Sequence, residues 1–316
     1  MKKLQIFAIR SIVYVAAVVI TTLVTVAIYN WRLSNRVYGP LKCDFEGSGC
    51  SLVTDLQYGH AKGATYDLYL PSGKAATQLI VLLHGGGFVN GDKVEMKPWA
   101  RFFATKGYVA ASVNYPLYSD STGWSVGYSY SQIEKAMVPI TEECKKRGFN
   151  ITEMAIGGES AGGTLAMLYA YKADSLAPAP VRFVFQQAAP GDFDVKKWKL
   201  MTDLAKHKFV SYFSGVPSDN MMMGVDEYKH LMDAISPVFY VDSTSVPTIC
   251  AYGDWDTQLN EDVRNSLIER LEMFGVQHEY ILYPNSGHRM IDDPKQQKEY
   301  VDKILEYTKK YFHNSH

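Results

Sequence analysis

Through most of the chain, apolar residues come in short blocks. Residues 79–83 (Leu-Ile-Val-Leu-Leu), 109–114, 154–157, 181–185 and 246–252 are such blocks, each followed by a stretch holding Gly, Pro, Asn or Asp, and residues 277–283, which open on Gln-His-Glu, read as a further strand. Near-continuous apolar runs of this length fit strands buried on both faces, as in parallel sheets. Residues 98–106 read as a helix between two of them. Residues 129–147 carry apolar side chains near Ile133, Met137 and Ile140, a crossover-helix pattern that Gly148 ends. Residues 58–70 hold the first strands. This alternation predicts an α/β fold, a mostly parallel, doubly wound sheet flanked by helices.

Two stretches break the pattern. Residues 11–31 contain no charge, follow Lys2, Lys3 and Arg10, and precede Arg32 and Arg36. They are long enough to cross a bilayer as a helix, with Tyr29 and Trp31 where an aromatic belt would lie. Residues 1–31 therefore read as a signal anchor, and the excess of N-terminal positive charge places the following domain outside the cytoplasm or in a lumen. The alternative is secretion after cleavage near Thr25-Val26-Ala27. Residues 32–57, with Gly, Pro and Ser, read as a juxtamembrane linker, and residues 58–316 as the folded domain. Between 191 and 240 the strand–helix alternation lapses, while Trp198, Phe209, Tyr212, Phe213 and Met221-Met222-Met223 accumulate. That stretch reads either as a lid over a cleft, which would set specificity, or as a helical excursion with its own small core.

The chain has 316 residues, 32 Lys and Arg against 33 Asp and Glu, and 22 tyrosines. That length suffices for one large α/β domain plus an appendage. The balanced charge, with no basic patch interleaved with aromatics, gives no reason to expect a nucleic-acid partner. Cys43 and Cys50 flank a small polar loop and could close a local disulfide in an oxidising compartment, or remain free thiols. Cys144 and Cys250 read as small core residues. No cysteine has the spacing of a zinc site, so no metal is expected.

The chemistry concentrates in three places. Gly158-Glu159-Ser160-Ala161-Gly162 stands between an apolar strand and a helix-like run, the Gly-x-Ser-x-Gly arrangement that projects a serine hydroxyl from a sharp turn. His84-Gly85-Gly86-Gly87-Phe88 follows the strand at 79–83, and a glycine-rich turn there exposes backbone N–H groups that can bind an oxyanion. His84 itself reads as structural, holding that loop by side-chain hydrogen bonds. Gly253-Asp254-Trp255-Asp256 and Ser286-Gly287-His288 follow the last two strands. Together they supply the order Ser, Asp, His in which a histidine takes the serine proton and a carboxylate fixes its tautomer.

These residues resemble the α/β-hydrolase superfamily, and more closely its esterase and lipase branch with an HGGG loop, which includes carbohydrate-acyl esterases and hormone-sensitive-lipase-like enzymes. The resemblance covers residues 58–312. It extends to Tyr66-Asp67-Leu68-Tyr69-Leu70-Pro71 at the start, Gly91-Asp92-Lys93 after the glycine loop, and Ile235-Ser236-Pro237-Val238 before the acid-bearing strand. It departs at Asn114-Tyr115-Pro116-Leu117, where many relatives carry Tyr-Arg-Leu. The resemblance implies Ser160 as nucleophile, His288 as general base and acid, and Asp256 rather than Asp254 as its orienting carboxylate. The implied oxyanion donors are the backbone N–H groups of Ala161 and of Gly86 or Gly87, and Glu159 supports the elbow. His60, His207, His230 and His278 carry no partner pattern. The implied activity is hydrolysis of short-chain, acetyl-type carboxylic esters of small molecules or glycans through an acyl-enzyme, with no cofactor. An amidase or peptidase using the same three residues is the alternative enzyme, and a silent surface binding module on the same fold is the alternative without catalysis. Oligomeric state is not encoded legibly.

Overall fold

A computed structural model describes residues 2–73, 76–118, 124–172, 177–199, 202–217 and 224–313. Eight strands form one sheet: β1 (Ser51–Gln57), β2 (Thr65–Leu70), β3 (Gln78–Leu83), β4 (Val109–Val113), β5 (Glu153–Glu159), β6 (Val181–Gln187), β7 (Thr248–Gly253) and β8 (His278–Tyr283). Their spatial order is β1-β2-β4-β3-β5-β6-β7-β8. From β4 to β8 the pairing is parallel, and only β1–β2 and β2–β4 are antiparallel. The sheet is thus the mostly parallel one that the apolar blocks predict. Its strand order changes direction about β3, whose carboxyl end leads into the glycine loop.

Alternate residues of each central strand serve two separate cores. Leu79, Val81 and Leu83 of β3 pack into the core on one face with Ile133, Met137 and Ile140 of α3 (Val126–Lys146) and Leu165 of α4 (Ala161–Lys172). Ile80 and Leu82 pack into the core on the other, with Trp99 and Phe103 of α2 (Lys97–Thr105). The β3 side chains are fully buried on both faces, which is why its sequence shows no polar alternation. In α3, Ser125 caps the N-terminus by accepting from Tyr128 N. Gly148 follows with φ 92°, a left-handed C-terminal stop.

The N-terminal apolar stretch forms one continuous helix, α1 (Lys2–Arg32). Residues 10–37 are long and apolar enough to cross a membrane, with mean hydropathy 2.4. From Arg10 to Trp31 every side chain is exposed except Tyr29, which is half-buried. Thr21 and Thr22 turn their hydroxyls back onto the carbonyls of Ala17 and Val18, so neither needs water.

The expected linker, residues 32–57, is corrected in its last part. Ser51–Gln57 is a strand, β1, at the sheet edge, paired to β2 with a bulge between Val53 and Leu56. Its side chains are mostly exposed, so it lacks the apolar signature of the inner strands, and backbone pairing makes it a strand. Before it, Leu41 and Phe45 are buried in the core beside α2. Cys43 and Cys50 are free thiols, as are the buried Cys144 and Cys250.

Candidate active site

Ser160 occupies the single position between β5 and α4, with φ 49°. A non-glycine residue is strained in this left-handed region. Its N–H donates to Gln187 O at 2.8 Å and its carbonyl accepts from Thr164 N at 3.1 Å, so the turn is held from both sides. The flanking glycines are there for space. A Cβ on Gly158 would stand 2.5 Å from Gly162 C, and one on Gly162 would stand 2.3 Å from His84 O. Backbone strain gathers around this point: Phe88, Ser160, Ala188 and Met290 all have positive φ. Ser160, Ala188 and Met290 face one pocket.

The loops after β7 and β8 bring the other two predicted residues to the serine. His288 Nε2 lies 2.9 Å from Ser160 Oγ, and His288 Nδ1 lies 2.8 Å from Asp256 Oδ2. With the Nδ1 proton donated to the carboxylate, the Nε2 lone pair faces the serine hydroxyl. Asp256 Oδ1 accepts from the N–H groups of Gln258 at 2.8 Å and Leu259 at 3.0 Å. Its side chain is fully buried while that of His288 is 16% exposed. Asp254, the rival, points elsewhere: its half-exposed side chain lies 3.8 Å from Arg264 Nη2 of α7 (Glu261–Met273). An imidazole held this way can take a proton from the hydroxyl and return it to a leaving group.

Residues beyond the sequence motifs hold this geometry. Asp293, buried before α8 (Pro294–Tyr311), accepts from Asn285 N, Asn285 Nδ2 and Ser286 Oγ at 2.7–2.9 Å, and so fixes the loop that carries His288. Burial alone would raise its carboxyl, but these hydrogen bonds outweigh that and hold it below the usual carboxylate range. An acid following a histidine loop has no sequence signature, so only the fold reveals this role.

The glycine loop stands beside the serine. Gly85 is packed so closely that a Cβ would lie 3.1 Å from Glu159 O and 3.5 Å from Ser160 Cβ. Gly86 (φ 110°) and Gly87 (φ 60°) line the pocket with Ser160. Gly86 O accepts from Val89 N and Asn90 N, and Gly87 O accepts from the Tyr212 hydroxyl. Buried His84 sits behind the loop, its Nδ1 2.7 Å from Gly85 O and its ring stacked on Tyr115 at 4.4 Å. Burial holds its imidazole below the ordinary range, in keeping with a neutral structural role. At the family departure, Pro116 O accepts from Trp124 Nε1 and Ser129 Oγ, contacts made without the arginine.

The pocket encloses about 640 Å³ and opens over Ser160 and His288. Its wall holds Glu95, Glu159 and Arg289, and also Tyr29, Val37 and Tyr38 from the N-terminal segment. Glu159 accepts from Trp99 Nε1 at 3.2 Å, the supporting contact that its place in the elbow predicts.

The insertion at 191–240 contains α5 (Asp203–Ser214) and α6 (Lys229–Ala234). Trp198 stacks on Phe193, and Phe209 and Phe213 pack against them and each other in tilted and edge-on contacts. Tyr212 reaches Tyr118 and Trp124 as well as Gly87. These aromatics form a small core against the outside of the glycine loop; among the described residues the insertion adds none to the pocket wall, while the N-terminal segment adds Tyr29, Val37 and Tyr38. Met221-Met222-Met223 lie outside the described residues. Among the described residues, no cluster of His, Cys, Asp and Glu is placed to hold a metal ion.

The chain matches the BD-FAE family model over residues 66–271. Among curated proteins it is similar to the non-reducing polyketide synthase atr1 of Stereocaulon alpinum, 23% identical over 138 residues; the match covers 40% of this chain but only 5% of that protein. Among solved structures it is similar to a truncated carbohydrate esterase from gut microbiota, with TM-score 0.67 and 17% identity over 84% of this chain and 98% of that one. Esterase B from Lactobacillus rhamnosis aligns with TM-score 0.65 and 18% identity, covering 94% and 93%. A thermophilic esterase from the Planctomycetes species Thermogutta terrifontis, with propionate bound, aligns with TM-score 0.63 and 16% identity, covering 84% and 97%.

Proposed function

The chain belongs to the BD-FAE family of α/β-hydrolase-like proteins, and from that premise we propose that it is a serine carboxylic-ester hydrolase acting through an acyl-enzyme on short-chain, acetyl-type esters of small molecules or glycans. The observation that carries this reading is the relay Ser160–His288–Asp256. Three residues from three separate loops meet within 2.9 Å and 2.8 Å of one another, with the serine on a strained turn.

In this mechanism Ser160 Oγ attacks the ester carbonyl carbon as its proton passes to His288 Nε2. The carbonyl π electrons move onto oxygen. That oxyanion is met by the backbone N–H groups of Ala161 and of Gly86 or Gly87, donors that cost no reorganisation when the charge develops. Asp256, anchored by two backbone N–H groups, stabilises the imidazolium and keeps its orientation. Collapse re-forms the carbonyl and breaks the bond to the alkoxy oxygen, which leaves as alcohol with the proton from His288. Water then attacks the acyl-enzyme, giving a proton to His288 Nε2. The second collapse releases the carboxylic acid and returns the proton to Ser160. The net reaction is ester plus water to acid plus alcohol.

The short acyl group rests on the similar structures: one is a carbohydrate esterase, one holds propionate, and esterase B is inhibited by a C4-C4 phosphonate. The membrane-crossing length of α1 and the charges around it support a single-pass protein with the hydrolase domain outside the cytoplasm. The test is p-nitrophenyl ester hydrolysis by the full-length protein, from acetyl to palmitoyl. The full chain is needed because Tyr29 lines the pocket. Turnover is expected to peak at short acyl chains and to fall by about 10³-fold or more in Ser160→Ala. Turnover unchanged in that variant would defeat the assignment. Labelling by a fluorophosphonate without ester turnover would redirect it to amides.

A further inference from the structure

The pocket wall contains part of the apolar N-terminal helix, and that fixes where the pocket lies relative to a membrane. The uncharged residues 11–31 of α1 rise ~31 Å as a helix, matching a hydrocarbon core of about 30 Å. Tyr29 lies in the last turn of that segment, at the depth where tyrosines meet the headgroup layer. The same Tyr29 faces the cavity that holds Ser160 and His288. A pocket of this size is on the order of 10 Å across, so the reacting serine is held close to the bilayer surface.

The junction is built, not a bare tether. Arg289, next to His288, donates from Nη1 to the Tyr29 hydroxyl at 2.7 Å, with its guanidinium 5.9 Å from that ring. Arg36 Nη1 lies 3.0 Å from Asp292 Oδ1, and Arg32 Nη1 lies 3.7 Å from the same atom. Val37 is buried, and it shares the pocket wall with Tyr38. The helix end is thereby locked to the loop that follows His288. A second observation comes from the loops that carry the site. Val89, Val94 and Trp255 are exposed apolar side chains, each adjacent to a pocket or relay residue: Asn90, Glu95 and Asp256. Apolar side chains on site-bearing loops suit contact with an interface better than with bulk water.

We propose that the pocket takes its substrate from the bilayer: a short-chain acyl ester carried on a membrane-held amphiphile, entering beside Tyr29, Val37 and Tyr38 with its ester bond at headgroup depth. The proposal rests on the ester-hydrolase reading and adds the location and class of the alcohol. The full-length protein in phosphatidylcholine vesicles tests it with two acetyl esters, water-soluble triacetin and vesicle-held 1-palmitoyl-2-acetylglycerol, with acetate release measured and Ser160→Ala as control. The bulk amount of the vesicle-held ester is kept constant while inert phosphatidylcholine lowers its mole fraction tenfold. Its Ser160-dependent rate is expected to fall about tenfold when the surface concentration is below saturation, while the triacetin rate stays constant. Release from triacetin with none from the vesicle-held ester would overturn the proposal and leave the esterase standing. So would a vesicle-held rate that ignores surface dilution. Acetate from neither ester would overturn the esterase reading and the membrane proposal together.

Discussion

In the proposed relay Ser160, Asp256 and His288 act as one unit, so their substitutions should not add. Asp256→Asn should keep the fold and lower kcat by about 10³–10⁴-fold, because an amide no longer fixes the imidazole tautomer. Asp254→Asn should leave kcat within about threefold, since that side chain faces Arg264 and solvent. Steady-state kinetics on the two variants decides between them, and loss of turnover in Asp254→Asn alone would reverse the assignment. Glu159 makes a separate prediction. Removal from water pushes its carboxyl above the ordinary range, against the hydrogen bond from Trp99 and with help from Glu95. A raised carboxyl favours the neutral form in the folded state. Its stabilising effect is present below the unfolded value of about 4.3 and is lost as pH rises through the folded value. Glu159→Gln keeps an acceptor for Trp99 Nε1. Its melting temperature should therefore gain on the parent from pH 4 to pH 8; a constant difference across that range would show that Glu159 does not titrate differently on folding.

The loops, rather than the strands, set how well the relay is held. Asp293 satisfies three donors of the loop that carries His288, and all three are lost together in Asp293→Ala. That change should cost about 1–3 kcal/mol in stability, the usual penalty for stranding buried polar groups. It should also lower kcat more than it raises KM, because in the proposed mechanism the loop orients the proton carrier His288 and not the substrate. A loss confined to KM would assign the loop to binding. On the other side, α5 reaches the glycine loop through the Tyr212 hydroxyl on Gly87 O. Tyr212→Phe removes one hydrogen bond, worth about 0.5–1.5 kcal/mol, so kcat should fall roughly two- to tenfold with the fold intact. An unchanged kcat would mean that the insertion packs against the loop without positioning it.

Contacts of Arg36 with Asp292 and of Arg289 with Tyr29 join the N-terminal helical segment to the loop after His288. Retention of the full-length mass in alkali-washed membranes is the expected outcome for a signal anchor, whereas a soluble product beginning near residue 28 would establish cleavage. The inner strands and the Ser, Asp, His order were legible because continuous apolar blocks and glycine-bound turns are local signals, readable without knowing what they pack against. The resemblance implies Asp256 rather than Asp254, and the sequence carries no sign of the geometry beneath that choice: one carboxylate is buried against His288, the other turns toward α7. Edge strand β1 was illegible, since its side chains are exposed and its pairing depends on a partner whose sequence is elsewhere. The support from Asp293, the hold of Tyr212 on Gly87, and the pocket wall formed by Tyr29, Val37 and Tyr38 were equally hidden. The last two join segments far apart in the chain, and no local pattern marks a contact whose two halves meet only after the sheet has assembled; Asp293 lies only eight residues from Asn285, but nothing in that spacing marks its carboxylate as the acceptor.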